Sequence, residues 1–157
     1  MASNWENICR LFSNYDYRVQ KMVNVIAMKN NKGFLANFLR RRVRVKNMIT
    51  VGEECRLGKG LRLPHSFNIV FGSKCVVGNN CTIYNNVTLG QNKGEYPVLK
   101  DNVIVYPNTV IVGGITIGNN CVIGANSMVR SSFPDNCVIA GNPARLIRKL
   151  EGEREFY

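Results

Sequence analysis

The run Val103-Ile104-Val105-Tyr106-Pro107-Asn108-Thr109-Val110-Ile111-Val112-Gly113-Gly114-Ile115-Thr116-Ile117-Gly118-Asn119-Asn120-Cys121-Val122-Ile123-Gly124-Ala125-Asn126-Ser127-Met128-Val129 repeats in steps of six. Val105, Ile111, Ile117, Ile123 and Val129 form one apolar column; Thr109, Ile115, Cys121 and Ser127 form a second, four residues later. Towards the N-terminus the first column continues through Leu99, Leu89, Ile83, Val77, Phe71, Leu63, Leu57 and Val51. The second continues through Val103, Val87, Cys81, Cys75, Phe67, Leu61 and Cys55, and Phe133 closes it. The phase slips only twice, by two extra residues between Leu63 and Phe71 and by four between Leu89 and Leu99. Neither the 3.6-residue period of a helix nor the alternation of a strand fits. A period of six with Gly and Asn between short β-branched runs predicts a parallel β-helix, an all-β solenoid whose stacked coils bury both columns. Gly and Asn occupy the corners, where φ > 0 is needed.

The flanks follow other rules. Over residues 1–46, Trp5, Ile8, Leu11 and Phe12 fall at helical spacing, as do Val19, Met22, Val23 and Ile26. Phe34, Leu35, Phe38 and Leu39 form another helical stripe, so two or three short helices are expected to cover the open end of the first coil. The solenoid is expected over 47–134, with a C-terminal cap and tail over 135–157. Arg40 to Lys46 is the densest charge run, read as a solvated helix end whose cations suit the C-terminal dipole. No recognition-helix, RRM or zinc-finger pattern accompanies it, so nucleic acid is not expected as a partner despite a net charge of +11.

The sequence has no run of about 18 apolar residues, so no membrane span is expected. The opening Met1 to Asn7 lacks the basic-then-apolar pattern of a signal peptide, so the cytoplasm is the expected compartment. None of the six cysteines has C-x-x-C spacing. Cys55, Cys75, Cys81 and Cys121 fall in the inward column, where a reduced thiol serves as a small apolar residue.

The solenoid stretch resembles the hexapeptide-repeat acyltransferases. Leu63 to Gly72 and Asn86 to Gly90 are most similar to the serine acetyltransferase branch, and Ala140 to Arg145 resembles the end of the repeat domain in many of these enzymes. The resemblance implies a left-handed β-helix, a homotrimer, and acetyl-CoA as co-substrate. The general crossover rule would have favoured the opposite hand.

His65, the only histidine, sits in a Pro-His turn just before the two-residue slip, where a side chain can stand clear of the coil. It also matches the catalytic histidine of the family's Leu-x-His segment. An imidazole titrating near neutrality can take a proton from an attacking hydroxyl. In the excursion between Leu89 and Leu99, serine acetyltransferases carry Arg-His-Pro, which holds the amino-acid substrate. This chain has Glu95, Tyr96 and Pro97 there, and Pro64 and Thr50 where the family keeps aspartates around its histidine. An acid for His65 would then have to come from Glu53, Glu54 or a neighbouring subunit. The resemblance further points to Pro107, Ala125 and Arg130 along the pantetheine arm and to Arg145 and Arg148 at the coenzyme A phosphates. Arginine suits phosphate through its planar donor fork.

The expected function is therefore O-acetyl transfer to a hydroxyl of a small acceptor, a sugar of surface polysaccharide assembly, with Glu95 and Tyr96 as substrate contacts. Serine O-acetylation is the first alternative and a non-catalytic β-helical assembly module the second. Zinc-dependent relatives of that shape need three histidines, and with one histidine no metal is expected.

Overall fold

The structure, a computed structural model, describes residues 15–27 and 33–150. The expectations for Trp5, Ile8, Leu11 and Phe12 and for the tail beyond 150 lie outside the described residues. Two helices lead, α1 (Tyr15–Ala27) and α2 (Phe34–Asn47). Strands β1 (Thr50–Val51), β3 (Val70–Phe71), β6 (Thr88–Gly90), β9 (Val110–Val112) and β12 (Met128–Val129) stack in parallel as sheet A. Sheet B stacks β2 (Arg56–Leu57), β4 (Val76–Val77), β7 (Val98–Leu99) and β10 (Thr116–Ile117). Sheet C stacks β5 (Thr82–Ile83), β8 (Ile104–Val105), β11 (Val122–Ile123) and β13 (Cys137–Gly141), and β14 (Ala144–Lys149) folds back antiparallel on β13. The chain visits A, B and C in turn, which makes a three-sided solenoid of about four coils, the left-handed β-helix.

The register carries both phase slips. Thr50 pairs with Val70, Val70 with Thr88, Thr88 with Val110 and Val110 with Met128, so successive coils take 20, 18, 22 and 18 residues. The regular coil is three hexads. The two extra residues lie at the corner between sheets C and A, next to His65, and the four lie between sheets A and B, in the 91–97 loop. Corner asparagines Asn80, Asn86, Asn102, Asn108, Asn120, Asn126 and Asn136 all take φ of 55–60°. Asparagine tolerates this left-handed region better than most residues.

The first column is buried throughout except Leu57, which is half-buried. The second column needs two corrections. Phe133, expected to close it, is half-buried and bridges Ile117 of the first column instead. Phe67, expected inside, is 50% exposed, and Ile69 is fully buried in its place. The backbone bonds Thr50 N–H to Ile69 O and Val70 N–H to Val87 O put Ile69 and Val87 in one inward column. The two-residue insertion thus shifts the inward position from Phe67 to Ile69. Five cysteines, Cys55, Cys75, Cys81, Cys121 and Cys137, are buried free thiols. The Cys55 and Cys75 sulfurs stand 3.4 Å apart, a thiol–thiol hydrogen bond that, with burial, drives the Cys55 pKa upward. Burial pushes the Cys121 thiol up to about 11.

The helices close the first coil, but with a different face from the one expected. Ala36, Val43 and Asn47 of α2 are buried, and Val19, Val23 and Ile26 of α1 join the same core. Phe34 and Phe38, read as packing residues, point outward at 89% and 54% exposure. Small Ala36 and β-branched Val43 let α2 lie close to the coil. At its end Met48 adopts φ 55° and donates its N–H to Arg44 O, while the Ile49 N–H bonds Val43 O, which turns the chain into β1.

Candidate functional site

The turn that carries His65 is held from below. Asn47, 2% exposed, donates from Nδ2 to the Ser66 carbonyl at 2.8 Å, and its own carbonyl accepts the Asn68 N–H at 2.8 Å. The end of α2 therefore grips both sides of the excursion. Within it His65 takes φ 53°, and its carbonyl accepts the Phe67 N–H at 2.7 Å. Ser66 is buried, whereas the His65 side chain is exposed. A non-glycine residue in this left-handed region is uncommon and marks a turn fixed by its surroundings.

Beside His65 runs an aromatic ladder. Tyr84 follows β5 and Tyr106 follows β8, one coil apart, with their rings stacked at 5.2 Å and 15°. The Tyr84 ring lies 6.5 Å from the His65 ring, tilted by 42°. The ladder stops at the next coil, where the in-register position is Gly124. Sequence reading missed both tyrosines, because outward corner positions lie in neither apolar column. Their separation of one lengthened coil was the available signal.

The corner between sheets C and A collects three expected site residues. His65 precedes β3, Pro107 lies between β8 and β9, and Ala125 lies between β11 and β12. Their backbone is rigid: the Thr109 and Ser127 hydroxyls both donate to the Gly124 carbonyl, at 3.1 and 2.6 Å, and Asn126 N–H donates to Pro107 O at 3.0 Å. Arg145 and Arg148 are exposed on β14, opposite Ala140 and Val138 of sheet C.

The other expected residues lie elsewhere. Glu95, Tyr96 and Arg130 belong to the corner between sheets A and B, as do Glu53 and Glu54, which follow β1. The single chain therefore does not place Glu53 or Glu54 at the His65 corner. Tyr96 is half-buried; a side chain added at Gly72 would meet its ring carbons at 2.7 and 2.8 Å, so the ring lies against the coil backbone. Glu95 is exposed, its stem lies over Gly114, and its backbone closes a two-way bridge with Asn92 at 3.0 and 3.1 Å. A cleft of about 390 Å³ lies instead between α1 and α2, lined by Arg18, Lys21, Met22, Leu39, Arg42 and Lys46 among others. His65 does not line it.

Comparison with known proteins bears on this arrangement. Residues 96–131 match the family described as bacterial transferase hexapeptide (six repeats). Serine acetyltransferase of Escherichia coli strain K12 is 32% identical over 124 residues, which are 76% of this chain and 45% of that protein. A provisionally assigned lipopolysaccharide biosynthesis O-acetyl transferase, WbbJ, of the same strain is 45% identical over 64 residues, 41% of this chain and 30% of that protein. The crystal structure of Neisseria gonorrhoeae serine acetyltransferase superposes with a TM-score of 0.81 at 30% identity, covering 92% of this chain and 58% of that one. The chain thus matches less than half the length of these curated relatives. With the hexad register, the three-sided coil and these likenesses in agreement, the chain carries the hexapeptide repeat of bacterial transferases and is similar to serine acetyltransferases and to an O-acetyl transferase over the shares given.

Proposed function

We propose that this chain is an acetyl-CoA-dependent O-acetyltransferase whose acceptor is a sugar hydroxyl in surface polysaccharide assembly. The observation that carries the reading is that exposed His65 shares one corner of the solenoid with Pro107 and Ala125, which would set the base in line with two of the three expected pantetheine contacts. His65 takes the proton from the acceptor hydroxyl while its oxygen attacks the acetyl carbonyl. The tetrahedral intermediate then collapses and breaks the carbon–sulfur bond, the leaving sulfur of coenzyme A takes up the proton held by His65, and no acyl-enzyme forms. Arg145 and Arg148 serve the phosphates of the coenzyme, and Arg130 its pantetheine arm. Glu95 and Tyr96 contact the acceptor from the corner between sheets A and B.

The site as proposed is completed in a homotrimer. A His65 on an exposed corner, with Glu95 at another, needs a second subunit to enclose one substrate. Val70, Val110 and Met128, outward in sheet A and half-buried in the single chain, offer the apolar surface such packing uses.

Serine as acceptor is the second reading, favoured by the serine acetyltransferases among the similar structures. Glu95 opposes it, since a carboxylate there repels the carboxylate of an amino acid. Coenzyme A release measured with serine, free sugars and nucleotide sugars decides. The sugar reading expects turnover with a saccharide and little with L-serine. Efficient O-acetylserine formation, with kcat/KM of roughly 10⁴ M⁻¹s⁻¹ or more, overturns it. No release with any acceptor would favour a non-catalytic module.

A further inference from the structure

One surface has no part in this chemistry: the outer face of α2. Phe34, Phe38, Arg41 and Val45 recur at steps of four, three and four, so they lie on one stripe of the helix. Phe34 is 89%, Phe38 54% and Val45 74% exposed, and Leu35 and Met48 extend the apolar area at 59% and 57%. The stripe lies opposite the buried Ala36, Val43 and Asn47, so it takes no part in capping the coil. Arg42 and Lys46 run along one flank and share a cleft with Arg18 and Lys21 of α1. Arg40 and Arg44 run along the other, and with Arg41, Asn37 and Thr50 they line a second cleft. The sequence holds no acidic residue between Asp16 and Glu53.

Contiguous exposed aromatics on a small domain mark an interaction surface. Here apolar side chains are fringed by cations on both sides with no anion among them. That is the composition of a helix that lies in the plane of a bilayer, its apolar stripe below the headgroups and its cations against lipid phosphate. At 14 residues α2 is about 21 Å long, enough to lie on a surface, and among the described residues no helix is long and apolar enough to cross one. A second copy fits the stripe poorly, because Arg41 sits between Phe38 and Val45 and self-pairing would oppose like charges. A nucleic acid would engage the cations and leave the aromatics in water.

We propose that α2 docks this protein on an anionic phospholipid membrane through Phe34, Leu35, Phe38 and Val45, with the flanking Arg and Lys side chains on the headgroup phosphates. The proposal stands apart from the acetyltransferase reading. The full chain would be sedimented with vesicles of phosphatidylcholine containing phosphatidylglycerol, and with vesicles of phosphatidylcholine alone. The wild type should pellet with the first and stay in solution with the second. Phe34→Ser combined with Phe38→Ser, and separately Arg41→Gln combined with Arg42→Gln and Arg44→Gln, should each weaken binding about tenfold or more with the circular dichroism unchanged. Single Phe34→Ser, at the most exposed position, gives a graded loss should the pair disturb folding. Failure to bind anionic vesicles overturns the proposal. So does undiminished binding by the serine variants, which would reduce the surface to a general polyanion site. A change in sedimenting mass in the variants, without vesicle binding by the wild type, would assign the face to contact between copies and overturn it too.

Discussion

Two corners of the same solenoid are built from the same asparagines and end up doing different work. Between sheets B and C the corner is a hydrogen-bonded rail. Asn102 Nδ2 donates to Asn120 Oδ1 at 3.1 Å, and Asn120 Nδ2 to Asn136 Oδ1 at 2.9 Å. Beside them Asn79 Nδ2 donates to Asp101 Oδ1 at 3.2 Å and Asn119 Nδ2 to Asp135 Oδ2 at 3.0 Å. No residue is inserted there. Between sheets C and A the rail begins the same way, Asn68 Nδ2 to Asn86 Oδ1 at 3.2 Å and Asn86 Nδ2 to Asn108 Oδ1 at 2.9 Å. It is flanked, however, by two inserted residues, an exposed histidine and two stacked tyrosines. A repeat that satisfies its own backbone at every step leaves no group to spare for a ligand. Chemistry enters where the repeat is interrupted.

The largest effect should fall on the interrupted corner. His65→Ala should keep the wild-type unfolding midpoint and lose about 10²–10⁴ in kcat, as expected for removal of a positioned base. Wild-type turnover would move the base elsewhere and erase the distinction between the corners. On the regular corner the effects reverse. Asn102→Ala forces an alanine to φ 59° and removes the bond to Asn120, and should cost about 2 kcal/mol in urea unfolding with KM unchanged. Asn102→Gly should cost less, because glycine accepts that φ. Equal losses would mean that the side-chain bond alone matters.

Smaller effects are expected at the exposed arginines. Arg145→Ala or Arg148→Ala should raise the KM for acetyl-CoA about three- to tenfold with little change in kcat. An unchanged KM in both would place the coenzyme phosphates elsewhere. The smallest effect belongs to Asp135. The Asn119 side-chain and backbone donors, followed by Lys100 at 3.6 Å, hold its carboxyl below the usual aspartate range. A depressed folded pKa contributes stability above the unfolded value, and that contribution fades as pH falls through the folded one. Asp135→Asn should therefore have a slightly lower urea midpoint than the wild type at neutral pH, and the two midpoints should converge as the pH falls through the folded pKa. A gap between the two proteins that widens as the pH falls would contradict the sign.

Much of this was legible in the sequence because a solenoid interior writes its own period. As far as Val129 and Ser127 the columns named the inward residues, Phe67 apart, and the slips after Leu63 and Leu89 reappear as coils of 20 and 22 residues. The error at Phe67 arose because counting by six cannot say which residues of an insertion are the extra ones; the backbone bond to Ile69 O decides. The outward stripe of α2 was misread because Phe34 and Phe38 carry a helical period whichever way they face, and Ala36 and Val43 are the smaller signal. Asn47, which fixes the His65 turn, had none. Its contact with Ser66 crosses 19 residues and leaves no local pattern.

The return strand β14 has a consequence for how the chain behaves among its own kind. A stack of parallel strands can grow by one more strand at any bare end, and another chain can supply it. In sheet C the growing end is occupied by an antiparallel strand of the same chain, which a further coil cannot continue in phase. Its next strand-binding rim bears Arg145, Arg148 and Lys149, cations that repel an identical rim. At the opposite end α2 lies across the first coil. Sheet C is thus a ruler with a stop at its last coil, where no strand of a second chain can extend it in parallel.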